Sequence, residues 1–367
     1  MKKRIGLLSF HESTSYGAFL QCFAMQTIIN NMGYNCEFID FKRHKNPINN
    51  QSLVDKTKNL IIKTLYLPKM TQQKKIKEIF AEYQKEYLNV GLQSYYSFND
   101  LKTNPPVYDK YVVGSDQVWN PVNSDLRVYG FNFLNNKDRT VAYAPSIGMN
   151  EIPEKFKNDI KNYLSDINYM SCREKSGADE LAMLLNRDVQ HVLDPTFLLN
   201  RDEWKDYEKP VKIQKPYLLC YFLGSLKYER IYAYKIAKIL GLQIVMIPGS
   251  PVDFYTPFKT LYDCNPFQFL WMIHNAEYVC TDSFHGIALS INFDKNFSAF
   301  MRRGYESKYS YASRIISILK LLKCENRLLK QCDDIEVHLN TKRQCVQEML
   351  SKEREESKRF LSKALSF

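Results

Sequence analysis

The sequence AEYVCTDSFHGIALS, residues 276–290, passes from a strand pattern to a helix pattern. Residues 278–281 form a short, apolar, β-prone run, whereas the chain from Ile287 onward reads as a helix. His285 lies between the two, beside Gly286, at the turn from strand to helix. In an open α/β sheet, ligands bind outside the carboxyl ends of the strands, and helix N-termini there favour anions. The position predicts either a histidine that binds a phosphate or carboxylate and transfers a proton, or one that packs in the turn.

Bulk properties place the chain among globular proteins with room for two domains. It has 367 residues, of which 45% are hydrophobic and 25% are charged. No uncharged apolar run reaches the roughly 18 residues of a membrane-spanning helix, so none is predicted. The nine cysteines stand singly, without a CxxC pair or a metal-like cluster with histidine. This usage indicates reduced thiols, a cytoplasmic location and no bound metal.

The net charge of +11 indicates anionic partners. Sugar phosphates, nucleic acid and an acidic membrane surface all fit, and composition does not choose among them. The charge is concentrated over residues 42–85, where eleven Lys or Arg residues face three acids and apolar residues interrupt them. We interpret this part as a basic helical insertion, about 42–90. It either covers an active-site cleft or makes peripheral contact with an anionic membrane through about 42–85.

The N-terminal sequence has the order that starts a parallel, doubly wound sheet. Residues 5–10 are a strand candidate, a helix is predicted over 18–32, and residues 36–41 are a second strand. No GxGxxG follows the first strand, so the dinucleotide-binding fingerprint is absent. The intervening loop either presents hydroxyl and backbone N–H groups to a ligand or simply caps the helix. Its candidate residues are Ser13, Ser15 and Gly17.

Two further strand ends carry polar groups at the predicted ligand-binding edge. A strand over 111–114 is followed by the run Ser115-Asp116-Gln117-Val118-Trp119, and a short strand from Tyr169 ends at Arg173. Arginine at such an edge suits bidentate recognition of a carboxylate or phosphate, and the alternative is a salt bridge to a neighbouring acid.

The alternation of strands and helices begins again after a charged, proline-flanked linker at about 200–215. We predict an N-terminal Rossmann-like domain over 1–205 and a C-terminal Rossmann-like domain over 206–335. Residues 336–367 are predicted to be a C-terminal amphipathic helix that could pack back on the first domain. This is an α/β fold of the glycosyltransferase-B type, with its active site between the halves. Positive residues of both halves would meet there on one anion: Arg173, His285, Arg302, Arg303 and Lys308.

Five short motifs follow predicted strands. They are TSYGAFLQ from Thr14, VGSDQVWN from Val113, SCRE from Ser171, LDPT from Leu193 and TDSFHG from Thr281. In their order and spacing, over about 300 residues to the helix near Leu322, they resemble the polysaccharide pyruvyl transferase family.

The resemblance implies transfer of a pyruvyl unit from phosphoenolpyruvate to two hydroxyls of a sugar. The product is a cyclic ketal on a bacterial surface or capsular glycan precursor, and phosphate is released. Phosphoenolpyruvate is a co-substrate, and no metal or redox cofactor is implied. The chemistry requires a general acid for the enol carbon and cations for the phosphate and carboxylate.

The resemblance also assigns roles to single residues. His285 matches the motif histidine of the family, as general acid or phosphate ligand, and Arg173 matches an arginine thought to grip the donor. Asp116 could act as a base for an acceptor hydroxyl, or it could cap its turn.

One family feature is absent. Members often carry Arg-Leu-His where this chain has Ser283-Phe284-His285, so another cation is expected to supply the missing charge. The candidates for that charge are Arg302, Arg303 and Lys308. The other expected donor-binding residues are Ser283, Phe284 and Gly286, and the expected acceptor-binding residues are Ser15, Tyr16, Gly17, Ser115, Gln117 and Trp119.

The acceptor itself is left open: a polyprenyl-diphosphate-linked sugar, a free nucleotide sugar and a finished polymer all fit. The expected location is cytoplasmic, with peripheral contact at the inner membrane face if the acceptor is lipid-linked. One alternative function is a nucleotide-sugar glycosyltransferase of the same architecture, although no ribose-binding acid and base-stacking surface is identified. Another is a glycan- or nucleic-acid-binding module, although no nucleic-acid reader motif is recognised and nucleic acid is not predicted as a partner.

Overall fold

The chain contains two parallel β-sheets, one in each half. The structure is a computed structural model that describes residues 2–43, 67–302, 313–340 and 346–367, with the backbone alone for 67–71. All strand pairings in the described residues are parallel. The predicted α/β class is therefore confirmed.

The N-terminal half carries a seven-stranded sheet in the order β3-β2-β1-β4-β5-β6-β7. Its strands are β1 Arg4–Leu8, β2 Asn35–Phe41, β3 Val90–Tyr95, β4 Lys110–Val113, β5 Thr140–Ala142, β6 Tyr169–Cys172 and β7 Gln190–His191. The helices are α1 Tyr16–Asn31, α2 Leu67–Tyr87, α3 Phe98–Thr103, α4 Leu126–Tyr129, α5 Glu154–Leu164, α6 Lys175–Leu185 and α7 Arg201–Lys205.

The C-terminal half carries a five-stranded sheet in the order β10-β9-β8-β11-β12. Its strands are β8 Tyr217–Tyr221, β9 Gln243–Met246, β10 Lys259–Thr260, β11 Tyr278–Thr281 and β12 Asn296–Ala299. The helices are α8 Lys227–Leu240, α9 Pro266–His274, α10 Phe284–Asn292, α11 Ser313–Leu321, α12 Ile335–Asn340 and α13 Val346–Leu365.

The strand order places a crevice in each sheet. In the first sheet the order reverses between β1 and β4, and in the second it reverses between β8 and β11. Connections that leave in opposite directions open a ligand-sized gap at the carboxyl ends of these strands. The polar run after β4 and the His285 turn after β11 therefore both begin at a switch point.

The hydrophobic core continues from one half into the other. α1 packs against both α9 and α10, and Tyr16 stacks on Phe269 with ring centroids 4.5 Å apart. The Tyr16 hydroxyl donates a hydrogen bond to the carbonyl of Cys264 at 2.8 Å. The first turn of α1 is therefore fixed against the second half, which holds the two crevices in one relative position.

The C-terminal helix α13 contacts both halves. At its start, Gln347 donates a hydrogen bond to the carbonyl of Ile291 at 2.8 Å. Further along, the Ser357 hydroxyl accepts a hydrogen bond from the N–H of Leu193 at 2.9 Å. At its end, Lys110 donates to the carbonyl of Ala364 at 2.8 Å. The amphipathic pattern of this helix is thus used to span the two halves, with its apolar face in the shared core.

The predicted elements differ from the structure in a few places. Strands β3 and β10 were not predicted. α10 begins at Phe284 rather than Ile287, because the Ser283 hydroxyl accepts a hydrogen bond from the N–H of Gly286 at 3.3 Å and caps the helix earlier. Residues 44–66 of the basic insertion lie outside the described residues, so the predicted membrane contact through 42–85 stays a prediction. None of the helices in the described ranges has the length and apolar content needed to cross a bilayer.

Candidate active site

The ligand-binding edges of the two sheets meet where α1 approaches α10. An ideal Cβ atom on Gly17 would lie 2.0 Å from Nδ1 of His285, so only glycine lets the α1 backbone lie against this imidazole. His285 from the C-terminal half and Arg173 from the N-terminal half both contact Asp194. The structure therefore brings these two predicted site residues into one crevice between the halves.

Asp194 is a buried carboxylate at the centre of this crevice. Its Oδ2 accepts hydrogen bonds from Arg173 Nη1 at 2.7 Å and Ser115 Oγ at 2.8 Å. Its Oδ1 accepts from the N–H and the hydroxyl of Thr196, at 3.0 and 2.7 Å. Burial would raise the pKa of the Asp194 carboxyl, but His285, Arg173 and Thr196 hold it well below its ordinary value. The carboxylate therefore stays ionised and orients the groups around it.

Two buried side-chain nitrogens in the crevice lack a hydrogen-bond partner in the described residues. Within the described ranges, Nη2 of Arg173 and Nε2 of His285 make no hydrogen bond. The 3.5 Å distance from His285 Nε2 to Asp194 Oδ2 is an electrostatic contact and is too long for a hydrogen bond. A buried polar group without a partner costs about 1–3 kcal/mol. Two such groups beside the same buried carboxylate therefore indicate a ligand that satisfies both.

The guanidinium of Arg173 is held by contacts on several sides. Nη1 also lies 3.3 Å from Ser115 Oγ, and Nε lies 3.4 Å from Oε1 of Glu174. Its Cζ lies 4.4 Å from the centre of the Phe284 ring, a cation–π contact across the crevice. Burial would lower the pKa of Arg173, but Asp194 and Glu174 outweigh it and raise the pKa. The sequence predicted either a ligand contact or a salt bridge for Arg173. The structure contains the salt bridge to Asp194, and Nη2 remains available to a ligand.

The expected donor-binding residues of the His285 turn are all buried. Ser283 caps α10, and the ring of Phe284 makes the cation–π contact with the Arg173 guanidinium. An ideal Cβ atom on Gly286 would lie 2.6 Å from Oγ1 of Thr281, so a side chain there would force the turn apart. These contacts shape the turn, and direct donor binding by Ser283, Phe284 and Gly286 stays a prediction.

Asp116 has the left-handed backbone conformation, with φ of 76°. A non-glycine residue there stores about 1–3 kcal/mol of strain, and such strain is concentrated at functional sites. Its Oδ1 accepts a hydrogen bond from the N–H of Gln117 at 2.8 Å, so the turn-capping alternative is observed. Since Asp116 remains partly exposed and its charge acts on Arg173, a further role as base stays a prediction.

The cations of the C-terminal half are only partly described. Arg302 follows β12, and its Nε lies 3.3 Å from Oδ2 of Asp282. Arg303 and Lys308 lie outside the described residues, so their predicted roles are untested. Arg314, in the first turn of α11, is buried near the same crevice and was missed by the sequence reasoning.

The expected acceptor-binding residues have different surroundings. Ser15 and Gln117 are partly exposed beside the crevice, and Gly17 lies against His285. Tyr16, by contrast, is buried between the halves with its hydroxyl bonded. Trp119 is fully buried, and its indole N–H donates to the carbonyl of Tyr129 at 3.2 Å. Ser115 is fully buried, and its hydroxyl donates a hydrogen bond to Asp194. Tyr16, Ser115 and Trp119 therefore offer no surface to a sugar in this structure, because their side chains are used for packing and for positioning Asp194.

A second group of buried charges supports the turn after β8. Asp282 accepts hydrogen bonds from the N–H groups of Leu223 at 2.6 Å and Gly224 at 2.7 Å. Nearby, Oε2 of Glu229 accepts from Arg230 at 2.5 Å, whereas Oε1 is buried with no hydrogen-bond partner in the described part of the chain. Burial raises the pKa of Glu229 to about 8, and the charge of Asp282 acts in the same direction.

Replacement of Glu229 by Gln is expected to reduce the loss of stability on going from about pH 5 to about pH 8. A carboxyl whose pKa rises on folding stabilises most below its unfolded pKa, about 4.3, and loses that contribution as the pH rises towards 8. The wild type should therefore lose a few kcal/mol more than Glu229→Gln over this range, to order of magnitude. Denaturant unfolding at several pH values measures the difference. The exposed Glu348→Gln is the matched control, and identical pH slopes for Glu229→Gln and wild type would contradict the prediction.

One cluster in the described residues has the donor atoms of a metal site. Ligand atoms of His11, Glu12 and Asp40 lie within 4.8 Å of one another. The ammonium of Lys42 lies 2.6 Å from Glu12 Oε1 and 2.8 Å from Asp40 Oδ1. It thus supplies the positive charge that these carboxylates need. The sequence analysis did not identify this cluster, because its members come from two different strand ends.

Solved structures resemble this chain in fold. The UDP-GlcNAc 2-epimerase from Neisseria meningitidis, bound to UDP-GlcNAc, matches with a TM-score of 0.51 and 8% identity, covering 100% of this chain and 99% of that chain. The glycosyltransferase SnogD from Streptomyces nogalater matches with a TM-score of 0.44 and 9% identity, covering 99% and 100%. The first likeness supports the predicted glycosyltransferase-B-type arrangement, and neither bears on substrate.

Sequence comparison identifies the family. No curated protein sequence matches the chain significantly. The family model described as polysaccharide pyruvyl transferase matches residues 16–302, which include the Gly17, Arg173, Asp194 and His285 positions of the crevice. Because this match covers well over half of the 367 residues, the protein belongs to the polysaccharide pyruvyl transferase family.

Proposed function

We propose that the protein transfers a pyruvyl group from phosphoenolpyruvate to two hydroxyls of one sugar, forming a cyclic ketal and releasing phosphate. Membership of the family supports pyruvyl transfer to a polysaccharide. The observation that carries the choice of donor is the pair of buried nitrogens without a hydrogen-bond partner in the described residues, Arg173 Nη2 and His285 Nε2, on two residues that both contact Asp194. A small, compact anion fits these groups.

The reaction can be written with the groups of this crevice. A proton adds to the CH₂ carbon of phosphoenolpyruvate, and the neighbouring carbon becomes oxocarbenium-like. The first sugar hydroxyl forms a C–O bond there, the bond to phosphate breaks, and the second hydroxyl closes the ketal. One hydroxyl proton replaces the proton consumed at CH₂, and the other leaves with phosphate as HPO₄²⁻, so atoms and charge balance.

Each proposed role follows from position. Arg173 binds an anionic group of the donor through Nη2, since Nη1 and Nε are occupied by Asp194 and Glu174. His285 acts through Nε2 as general acid or phosphate ligand, with Gly17 fixing the opposite side of the ring. Asp116, partly exposed beside them, is the proposed base for an acceptor hydroxyl.

The proposed acceptor is a bacterial surface or capsular glycan precursor in the cytoplasm. If that precursor is carried on a polyprenyl diphosphate, the basic segment 42–85 would contact the inner face of the membrane. No nucleic-acid partner and no redox cofactor is proposed, because phosphoenolpyruvate itself carries the group that is transferred.

Ligand-dependent unfolding tests the donor. Phosphoenolpyruvate should raise the melting temperature of the purified protein in a concentration-dependent manner, because it binds the folded state alone. This shift should not require a UDP-sugar or a GDP-sugar. Mass spectrometry of the native glycan, with and without the protein, should then detect a pyruvyl ketal only when the protein is present. Stabilisation by a nucleotide sugar and not by phosphoenolpyruvate would favour a glycosyltransferase.

A further inference from the structure

Arg314 is a buried arginine that reaches the crevice from the C-terminal half. It lies in the first turn of α11, which packs against both α6 and α10. Only 8% of its surface is exposed. α11 is joined to the N-terminal half by a hydrogen bond from the N–H of Lys175 to the Ser317 hydroxyl at 3.1 Å. Arg314 is therefore fixed at the point where the two halves meet.

The guanidinium of Arg314 faces Gln117 across the crevice. With the carboxamide oxygen of Gln117 turned towards Arg314, this oxygen accepts from both Nη1 and Nη2 at 3.2 Å. A forked contact of this kind has the geometry in which arginine binds a phosphate or carboxylate. The amide oxygen is a neutral acceptor at long range, so an anionic oxygen in its place would form the stronger hydrogen bonds.

Several charges act on this guanidinium. Burial, together with the positive charges of Arg173 and Arg302, lowers the pKa of Arg314 to about 10. Asp116 and Glu174 act in the opposite direction. Arg173 from the first half and Arg302 from the second therefore both repel the Arg314 guanidinium. A bound anion would relieve this repulsion, since it interacts favourably with all of them.

The two sides of the crevice differ in the number of hydrogen-bond donors that an anion can reach. On the N-terminal side, Arg173 has two nitrogens engaged by Asp194 and Glu174 and only Nη2 left over. On the C-terminal side, Arg314 directs both Nη1 and Nη2 at one acceptor, the carboxamide oxygen of Gln117. A phosphate has more oxygens and more charge than a carboxylate, so it belongs on the C-terminal side.

We propose that Arg314 binds the phosphate of the donor through its guanidinium fork, in exchange for Gln117, while Nη2 of Arg173 binds the donor carboxylate. This inference rests on the proposed function and adds an orientation of the donor across the two halves. Arg314 would also supply the positive charge that family members often carry at the position of Ser283, although it comes from a different part of the sequence.

Calorimetry with three ligands tests the assignment. Arg314→Lys keeps the charge but removes the fork. It should weaken binding of phosphoenolpyruvate and of inorganic phosphate by about 10- to 100-fold, and leave binding of pyruvate, the carboxylate-only probe, unchanged. Arg127→Lys is the matched control, because Arg127 is exposed and pairs with Asp125 on the surface. Unchanged phosphate affinity in Arg314→Lys, or weakened pyruvate binding alone, would overturn the proposal.

A second measurement needs no variant and covers the case in which Arg314→Lys does not fold. Crystals of the wild type soaked in phosphate should show the phosphate within hydrogen-bond distance of Arg314, and phosphate bound elsewhere in the crevice would refute the proposal.

Phosphoenolpyruvate binding by the wild type also separates this inference from the proposed function. If it does not bind phosphoenolpyruvate, the proposed function fails; if it binds with an affinity that Arg314→Lys does not change, only the orientation fails.

Discussion

His285→Gln is expected to lower turnover with phosphoenolpyruvate and a glycan acceptor by about 10²- to 10⁴-fold, the usual contribution of a positioned general acid. Glutamine retains a polar group of similar reach and fits beside the Gly17 backbone. It cannot donate a proton as an imidazolium can. Phosphate release under saturating donor measures the effect on the chemical step.

The kinetic constants then assign the role of His285. A fall in kcat with unchanged KM for phosphoenolpyruvate identifies proton transfer, whereas a rise in KM identifies phosphate binding. His274→Gln is the matched control. His274 is a partly buried histidine that stacks on Phe293 at 4.8 Å and pairs with Glu208, away from the crevice. Undiminished turnover in His285→Gln would remove this histidine from the mechanism.

Arg173→Lys is expected to raise KM for phosphoenolpyruvate by about 10- to 100-fold, because the ammonium of lysine cannot contact Asp194, Glu174 and the donor at once. The free energy of unfolding should fall as well, by about 1–3 kcal/mol, since hydrogen bonds of a buried carboxylate are lost. Initial-rate kinetics and denaturant unfolding give the two quantities separately.

Arg187→Lys controls for the loss of an arginine fork elsewhere. Arg187 donates to the backbone carbonyls of Ser165, Ile167 and Asn168, so its replacement should reduce stability without changing donor affinity. If Arg173→Lys likewise loses stability and keeps its KM, then Arg173 holds Asp194 and does not touch the donor.

The sequence was sufficient for the architecture because local patterns determine it. Apolar strand runs and amphipathic helices alternate along the chain, and parallel sheets follow from that alternation. The turn from β11 to α10 also lies where the rule for open sheets puts ligands, so His285 was found from its position. β3 was not predicted because it is an edge strand with exposed residues, such as Leu92, and lacks a buried apolar pattern.

The centre of the site could not be predicted as well. Asp194 was quoted within a motif but given no role, because only the fold brings it between Arg173 and His285. Arg314 had no local signal, since it lies in the first turn of a helix and does not follow a predicted strand end. Tyr16 and Trp119 were expected to bind the acceptor because they neighbour polar motif residues. Their side chains instead point into the core, a direction that residue spacing alone does not give.

The bridging helix α13 has a consequence for biosynthesis. It covers Leu193 and packs Phe360 near the ring of Tyr143, yet it follows β7 by about 150 residues. At typical translation rates, the ribosome needs about 8–30 s to add those residues. Throughout that interval the N-terminal half carries an uncovered apolar surface. A nascent chain halted before residue 346 should therefore be held by chaperones, and chains in which α13 has emerged from the ribosome should be released from them.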